Sequence, residues 1–168
     1  MATYEPTTPQ GTCVFCDIVA KNDSGVIFWE DSAHVAFLSI APNTPGFSLV
    51  VPKEHWGSDI LKMSDTALQA FIVAAKQVAA MLEQYYDDVG RVGLIMEGTG
   101  IDHAHIKLIP MHGTEHLKRG EWRQQLSGVD HWFDRYEGWI SSASGPMANR
   151  DDLVDLTRKL RTFGTAHD

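Results

Sequence analysis

From His103 to Leu108 the chain reads His-Ala-His-Ile-Lys-Leu, strictly alternating polar and apolar, with Asp102 before it and Ile109-Pro110 after it. A repeat of two is the period of a half-buried strand, whose successive side chains point to opposite faces. It predicts a strand that turns Ala104, Ile106 and Leu108 to a core and sets His103, His105 and Lys107 in a row on the other face. Two imidazoles and an ammonium in one row forgo apolar burial. Such a row is either the solvated face of an edge strand or the working face of a site.

The second constraint is a pair of cysteines, Cys13 and Cys16, the only two in the chain. In a reducing compartment a Cys-x-x-Cys is a metal knuckle or a redox motif more often than a structural disulfide. A redox pair opens a helix within a thioredoxin-like βαβ pattern, and no such pattern is visible here. Two thiolates are half of a tetrahedral zinc site, which asks for two histidines from elsewhere in the chain.

Charge narrows the function classes. There are 22 acidic against 14 basic residues, a formal charge of −8. Nonspecific nucleic-acid binding draws its affinity from a basic face that neutralises phosphates, so it is not expected. A single nucleotide in a local basic pocket is compatible with this balance. No apolar run approaches the roughly 18 residues of a membrane span, and Met1 to Thr12 is polar, with Pro6 and Pro9 and no apolar signal core. The expectation is a soluble, cytoplasmic protein without membrane attachment. Its 168 residues suit one domain with a real core.

The remaining elements follow from period and punctuation. Asp17 to Lys21 can form one or two helical turns. Val26–Glu30 and His34–Ser39 read as paired strands around a Glu30-Asp31-Ser32 turn. Ile40 to Gly46, with two prolines and a glycine, is a loop, and Phe47–Val51 is a third strand stopped by Pro52. Ser64 is a helix N-cap. From Leu68 to Tyr86 apolar residues recur at three and four, which predicts one long helix ending near Asp88 with Gly90 as its stop. Arg91–Glu97 is a fourth strand, Gly98-Thr99-Gly100 a tight turn, and the alternating strand follows. Gly138–Ser142 reads as a short strand, and Asp151–Arg161 as a short amphipathic helix capped by Asn149 or Asp151. Met1–Thr12 and Thr162–Asp168 are expected to be loose ends. Strands of antiparallel type around one long helix make the class α+β.

Taken together, Cys13-Val-Phe-Cys16-Asp-Ile, Ala36-Phe-Leu-Ser39-Ile-Ala-Pro42-Asn-Thr-Pro-Gly46, Leu49-Val-Val-Pro52-Lys-Glu-His55, the long helix and His103-Ala-His105-Ile-Lys107-Leu-Ile-Pro110 resemble the histidine triad (HIT) family of nucleotide-binding hydrolases and transferases. The resemblance runs from about Cys13 to Pro110. It implies a HIT-like fold: an antiparallel sheet of about five strands, one long helix and a C-terminal helical extension. The corresponding division is a flexible segment 1–12, a nucleotide-binding domain 13–112, and an extension 113–168 packed on the same domain.

The resemblance also implies roles. His105 falls on the nucleophile, which attacks an α-phosphate to form a nucleotidyl-imidazole later released to water or another acceptor. Cys13, Cys16, His55 and His103 fall on the ligands of a structural zinc. Ser39, Asn43, Gly98, Gly100 and Asp102 fall on the nucleotide-binding loops, and a homodimer is implied. Three positions depart from the family pattern. Lys107 stands where a third histidine is usual, Ser39 where an acidic residue grips the ribose, and Phe47 where a histidine follows the loop glycine. The short Gly98–Asp102 turn is similar to that of the transferase and phosphorylase branches. A lysine is a fixed charge rather than a proton shuttle at neutral pH, so Lys107 by itself favours polyphosphates, whose leaving groups need little protonation. The competing expectation is a zinc-stabilised nucleotide-binding or regulatory protein with little turnover.

Overall fold

The computed structural model describes residues 11–21, 26–122 and 147–165. Its regular elements are α1 (Val14–Val19), β1 (Ile27–Glu30), β2 (His34–Leu38), β3 (Ser48–Pro52), α2 (Asp65–Tyr85), β4 (Val89–Ile95), β5 (Ile106–His112) and α3 (Arg150–Thr165). The strands form one sheet in the order β1-β2-β3-β5-β4, and every neighbouring pair is antiparallel. This is an α+β fold, a five-stranded antiparallel sheet with one long helix and a C-terminal helix, the arrangement that the HIT resemblance implies.

Local chemistry explains the elements. At the β1–β2 turn, Asp31 Oδ1 accepts the N–H groups of Ala33 (2.7 Å) and His34 (2.6 Å), closing the hairpin through its own side chain. Ser64 caps α2 by accepting the Ala67 N–H at 3.3 Å. The inner stripe of α2 is Phe71, Ala74, Ala75, Val78, Met81 and Leu82, spaced at three and four so that one face meets the sheet. It covers strands β2 to β5 and, with Val35, Val50, Val51, Ile106 and Leu108, encloses the core.

The described structure moves several sequence boundaries. Regular β5 begins at Ile106, so His103 and His105 sit in the segment that leads into it. Both are buried rather than ranged along a solvated face. Gly90 does not stop α2, whose C-cap is Tyr86. It lies buried in β4, where a Cβ would stand 2.1 Å from the Thr114 carbonyl oxygen. That close approach, rather than a helix end, demands glycine. The proposed strand at Gly138–Ser142 lies outside the described residues. Among the described residues no helix is long and apolar enough to cross a membrane.

The C-terminal helix is longer than its sequence pattern predicts and takes in Thr162 to Thr165. Asn149 is its cap: Oδ1 accepts the N–H of Asp151 at 2.8 Å and of Asp152 at 3.3 Å. Leu153 and Leu160 enter the same core as the sheet, and the Thr157 hydroxyl donates to the Val26 carbonyl at 3.4 Å. Just ahead of the helix, the Ala148 N–H donates to the Ile40 carbonyl at 3.0 Å, tying it to the loop after β2. Because Leu160 is fully buried, Leu160→Ala should cost about 2–5 kcal/mol of stability. Urea unfolding measures it, and a cost below about 0.5 kcal/mol, the range of surface substitutions, would place α3 outside the core.

Candidate functional site

Four side chains from three separate parts of the chain meet beside α1. Cys13 stands at the residue just before α1 and Cys16 lies in its first turn. His55 follows β3, and His103 leads into β5. Their ligand atoms all lie within 4.8 Å of one another. Cys16 Sγ is 3.3 Å from His55 Nδ1 and 3.6 Å from His103 Nδ1, and Cys13 Sγ is 3.6 Å from the same His103 nitrogen. A tetrahedron with metal–sulfur bonds of about 2.3 Å and metal–nitrogen bonds of about 2.0–2.1 Å has sulfur–nitrogen edges of about 3.5 Å. The donor set and its spacing therefore fit a four-coordinate metal ion.

Hydrogen bonding prepares the buried ligand. His103 Nε2 lies 3.0 Å from the Pro52 carbonyl. A carbonyl only accepts, so Nε2 carries the proton and Nδ1 turns its lone pair to the thiols. Burial, with a smaller contribution from neighbouring His55, holds the His103 pKa below the usual range, although the bond to Pro52 acts against it. The Cys16 thiol is pushed up to about 11, first by burial and then by its Cys13 neighbour. Two adjacent thiols resist ionising together unless a cation compensates them.

Two residues on, the same logic is reversed. His105 Nδ1 lies 2.8 Å from the His103 carbonyl and must donate to it. In the neutral ring Nε2 is then the free, nucleophilic nitrogen. His105 is only 2% exposed, and burial is the main cause that holds its pKa below the usual range. Its bond to the His103 carbonyl opposes that shift, the charge of Lys107 adds to it, and that of Glu97 opposes it. Phe15 of α1 lies edge-on to both rings, with centroids 5.9 Å from His103 and 5.6 Å from His105.

Lys107 is the third member of the row, and its Nζ is in contact with Glu97 Oε1. Both side chains are largely buried, at 17% and 13% exposed. The Thr99 hydroxyl donates to the same carboxylate oxygen at 3.4 Å. The sequence reading does not single out Glu97. The signal that finds it is hairpin register: Ile95 pairs with Lys107 across β4 and β5, so the acidic residue two places further on stands beside the histidine segment.

The turn between them is tightly built. Gly98 has φ +64°, and a Cβ there would come 2.5 Å from the Ser58 carbonyl oxygen. Gly100, at φ +90°, is also left-handed, a conformation that favours glycine. Asp102 Oδ1 accepts the Ser58 N–H at 2.9 Å and so ties the turn to the segment behind His55. That bond is the leading cause that holds its carboxyl below the usual carboxylate range. Ser39 is buried after β2, where its hydroxyl accepts the Ala41 N–H at 3.2 Å. Asn43 is exposed in the same loop. Phe47 is a core residue. The structure thus gathers the four metal-ligand candidates into one cluster, sets His105 beside it, and leaves Lys107 joined to Glu97.

A model of the HIT domain matches residues 20–114. The chain belongs to the HIT family. The matched span contains His55, His103, His105 and Lys107, whereas the cysteine pair lies ahead of it. The chain is 32% identical over 106 residues to the adenosine 5'-monophosphoramidase of Schizosaccharomyces pombe, a match covering 62% of this chain and 78% of that protein. Two solved structures share the HIT fold. A hypothetical histidine triad nucleotide-binding protein from Sulfolobus tokodaii superposes with a TM-score of 0.65 at 20% identity, covering 92% of this chain and 93% of its own. A zinc-bound histidine triad family protein from Mycobacterium smegmatis gives 0.61 at 18% identity, covering 93% and 97%.

The cluster makes a direct prediction for this HIT protein. Purified without added metal, it should carry about one tightly held transition-metal ion per chain, and stripping that ion should cost several kcal/mol of stability, of the order expected for a structural site. Elemental analysis with thermal melts checks both. Unchanged metal content in the double variant Cys13→Ser/Cys16→Ser would rule the site out.

Proposed function

We propose that this HIT protein is a nucleotidyl hydrolase or transferase acting at the α-phosphate of a nucleoside polyphosphate or phosphoramidate through a covalent intermediate on His105. The single observation that carries this reading is the bond from His105 Nδ1–H to the His103 carbonyl. It leaves Nε2 as the lone-pair nitrogen of a desolvated, neutral imidazole, the form a nucleophilic histidine needs. In the first step Nε2 attacks the α-phosphorus. The bond from phosphorus to the leaving oxygen or nitrogen breaks, and its electron pair departs with the leaving group. In the second step water or another acceptor attacks the same phosphorus, and the P–N bond returns its pair to the imidazole. The S. pombe relative is an adenosine 5'-monophosphoramidase, an activity on a nucleoside phosphoramidate that supports this reading.

In this reading Cys13, Cys16, His55 and His103 hold zinc, in keeping with the zinc-bound M. smegmatis homologue. Its role is structural, because four protein ligands leave no open position. It would brace the backbone carbonyl that orients His105. The nucleotide contacts assigned to the chain are Ser39 and Asn43 toward the ribose, and backbone N–H groups of the Gly98–Gly100 turn toward phosphate. Asp102 braces that turn, and Lys107 stabilises charge on the phosphoryl oxygens.

A zinc-stabilised nucleotide-binding protein with little turnover is the second reading. One observation favours it: Lys107 is held by Glu97 while His105 is nearly enclosed. Covalent trapping separates the two. After brief exposure to dinucleoside polyphosphates and nucleoside phosphoramidates, and an alkaline denaturing quench that spares a P–N bond, mass spectrometry should find one nucleotidyl adduct on His105. The variant His105→Ala should lose turnover by at least about 10³-fold while its nucleotide Kd changes little. Near-normal turnover in that variant overturns His105 as the nucleophile, and a wild type with no turnover and no adduct favours the binding reading.

A further inference from the structure

The Lys107–Glu97 pair changes what the triad row does with charge. Lys107 is the cation that the α-phosphate would meet next to His105, yet its ammonium already rests on a carboxylate. The carboxylate is held in place. Ile95, two residues before it, is in register with Lys107. Gly98, immediately after it, runs against the Ser58 carbonyl with no room for a side chain. Asp102 anchors the far end of the turn to the Ser58 N–H, and Thr99 donates to the carboxylate itself. Half-buried charges interact more strongly than charges in water, because the surrounding medium screens them less. An incoming phosphate must therefore compete with Glu97 for Lys107 and also sits near a fixed negative charge.

We propose that Glu97 is a specificity-determining residue that masks Lys107, so that the site selects its nucleotide by charge and favours a singly charged phosphoramidate over a polyphosphate. The inference rests on the reading of His105 as the nucleotidyl acceptor. It reverses the preference that Lys107 would impose by itself. A free lysine attracts the more negative ligand most strongly. A lysine already neutralised by its neighbour does not, and the neighbour penalises each further negative charge.

The test compares kcat/KM for adenosine 5'-monophosphoramidate and for diadenosine tetraphosphate in the wild type, Glu97→Gln, Lys107→Met and the double variant Glu97→Gln/Lys107→Met. Glu97→Gln should move the ratio toward the polyphosphate by about tenfold or more, since a half-buried charge is being removed. The double variant should lose that gain, because it leaves no cation to unmask. Glu97→Asp, which keeps the charge, should stay near the wild-type ratio, and Glu97→Ala serves as a second neutral variant if the glutamine protein folds poorly. A ratio unchanged in both neutral variants, or a gain that persists without Lys107, overturns the role of Glu97 while leaving the enzymatic reading intact. A wild type that turns over neither compound and forms no adduct on His105 overturns the enzymatic reading itself, and the inference with it.

Discussion

Two hydrogen bonds in series organise the site. His103 donates from Nε2 to the Pro52 carbonyl, and His105 donates from Nδ1 to the carbonyl of His103. Each ring spends one nitrogen on backbone and is left with the other. The free nitrogen is Nδ1 in His103, which faces the cysteines, and Nε2 in His105. Adjacent histidines of one motif are thereby set to opposite tautomers without a carboxylate partner. The chain of bonds starts at the end of β3, so the pairing of β3 with β5 is the condition on which both orientations depend.

The backbone around this chain is braced at several points. Ala104 N–H donates to the Trp56 carbonyl at 2.8 Å, one residue beyond His55. Asp102 ties the same stretch to Ser58. The segment after β3 and the segment before β5 are thus stitched together on either side of His103. Cys13 and Cys16 reach them through the short helix α1, whose Phe15 packs against both histidine rings. Polar groups this deeply buried are tolerated where each finds a partner. A bound metal would join α1 to the two segments through a further set of bonds.

Burial also decides the electrostatics. His103 and His105 are desolvated and held toward their neutral forms, as ligands and nucleophiles must be. Lys107 and Glu97, a few residues away, share a half-buried pair instead. The site therefore places a neutral imidazole beside a closed ion pair. The formal charge of −8 for the whole chain says little about that pair, because screening in water confines most surface charge to short range.

Some of this was legible in the sequence because its causes are local. Period-two alternation marked β5, the three-and-four stripe marked α2, and Ser64 marked its cap, since such patterns depend only on near neighbours. The Cys13–Cys16 spacing posed a metal question that two histidines had to answer, and the HIT resemblance pointed to His55 and His103. Other features had no local signature. Gly90 resembled a helix stop because its reason, the Thr114 carbonyl 2.1 Å from where a Cβ would stand, lies 24 residues away along the chain. The row of His103, His105 and Lys107 read as one face of a strand, yet the first two precede regular β5 and are buried by α1. Glu97 was an ordinary residue at a strand end until hairpin register brought it to Lys107. The sequence by itself determined which groups were available and the class of fold that would carry them. Only the tertiary structure decided which nitrogen each histidine keeps and which charge each lysine meets, because those choices depend on backbone carbonyls and carboxylates that long-range strand pairing brings within 3 Å or so.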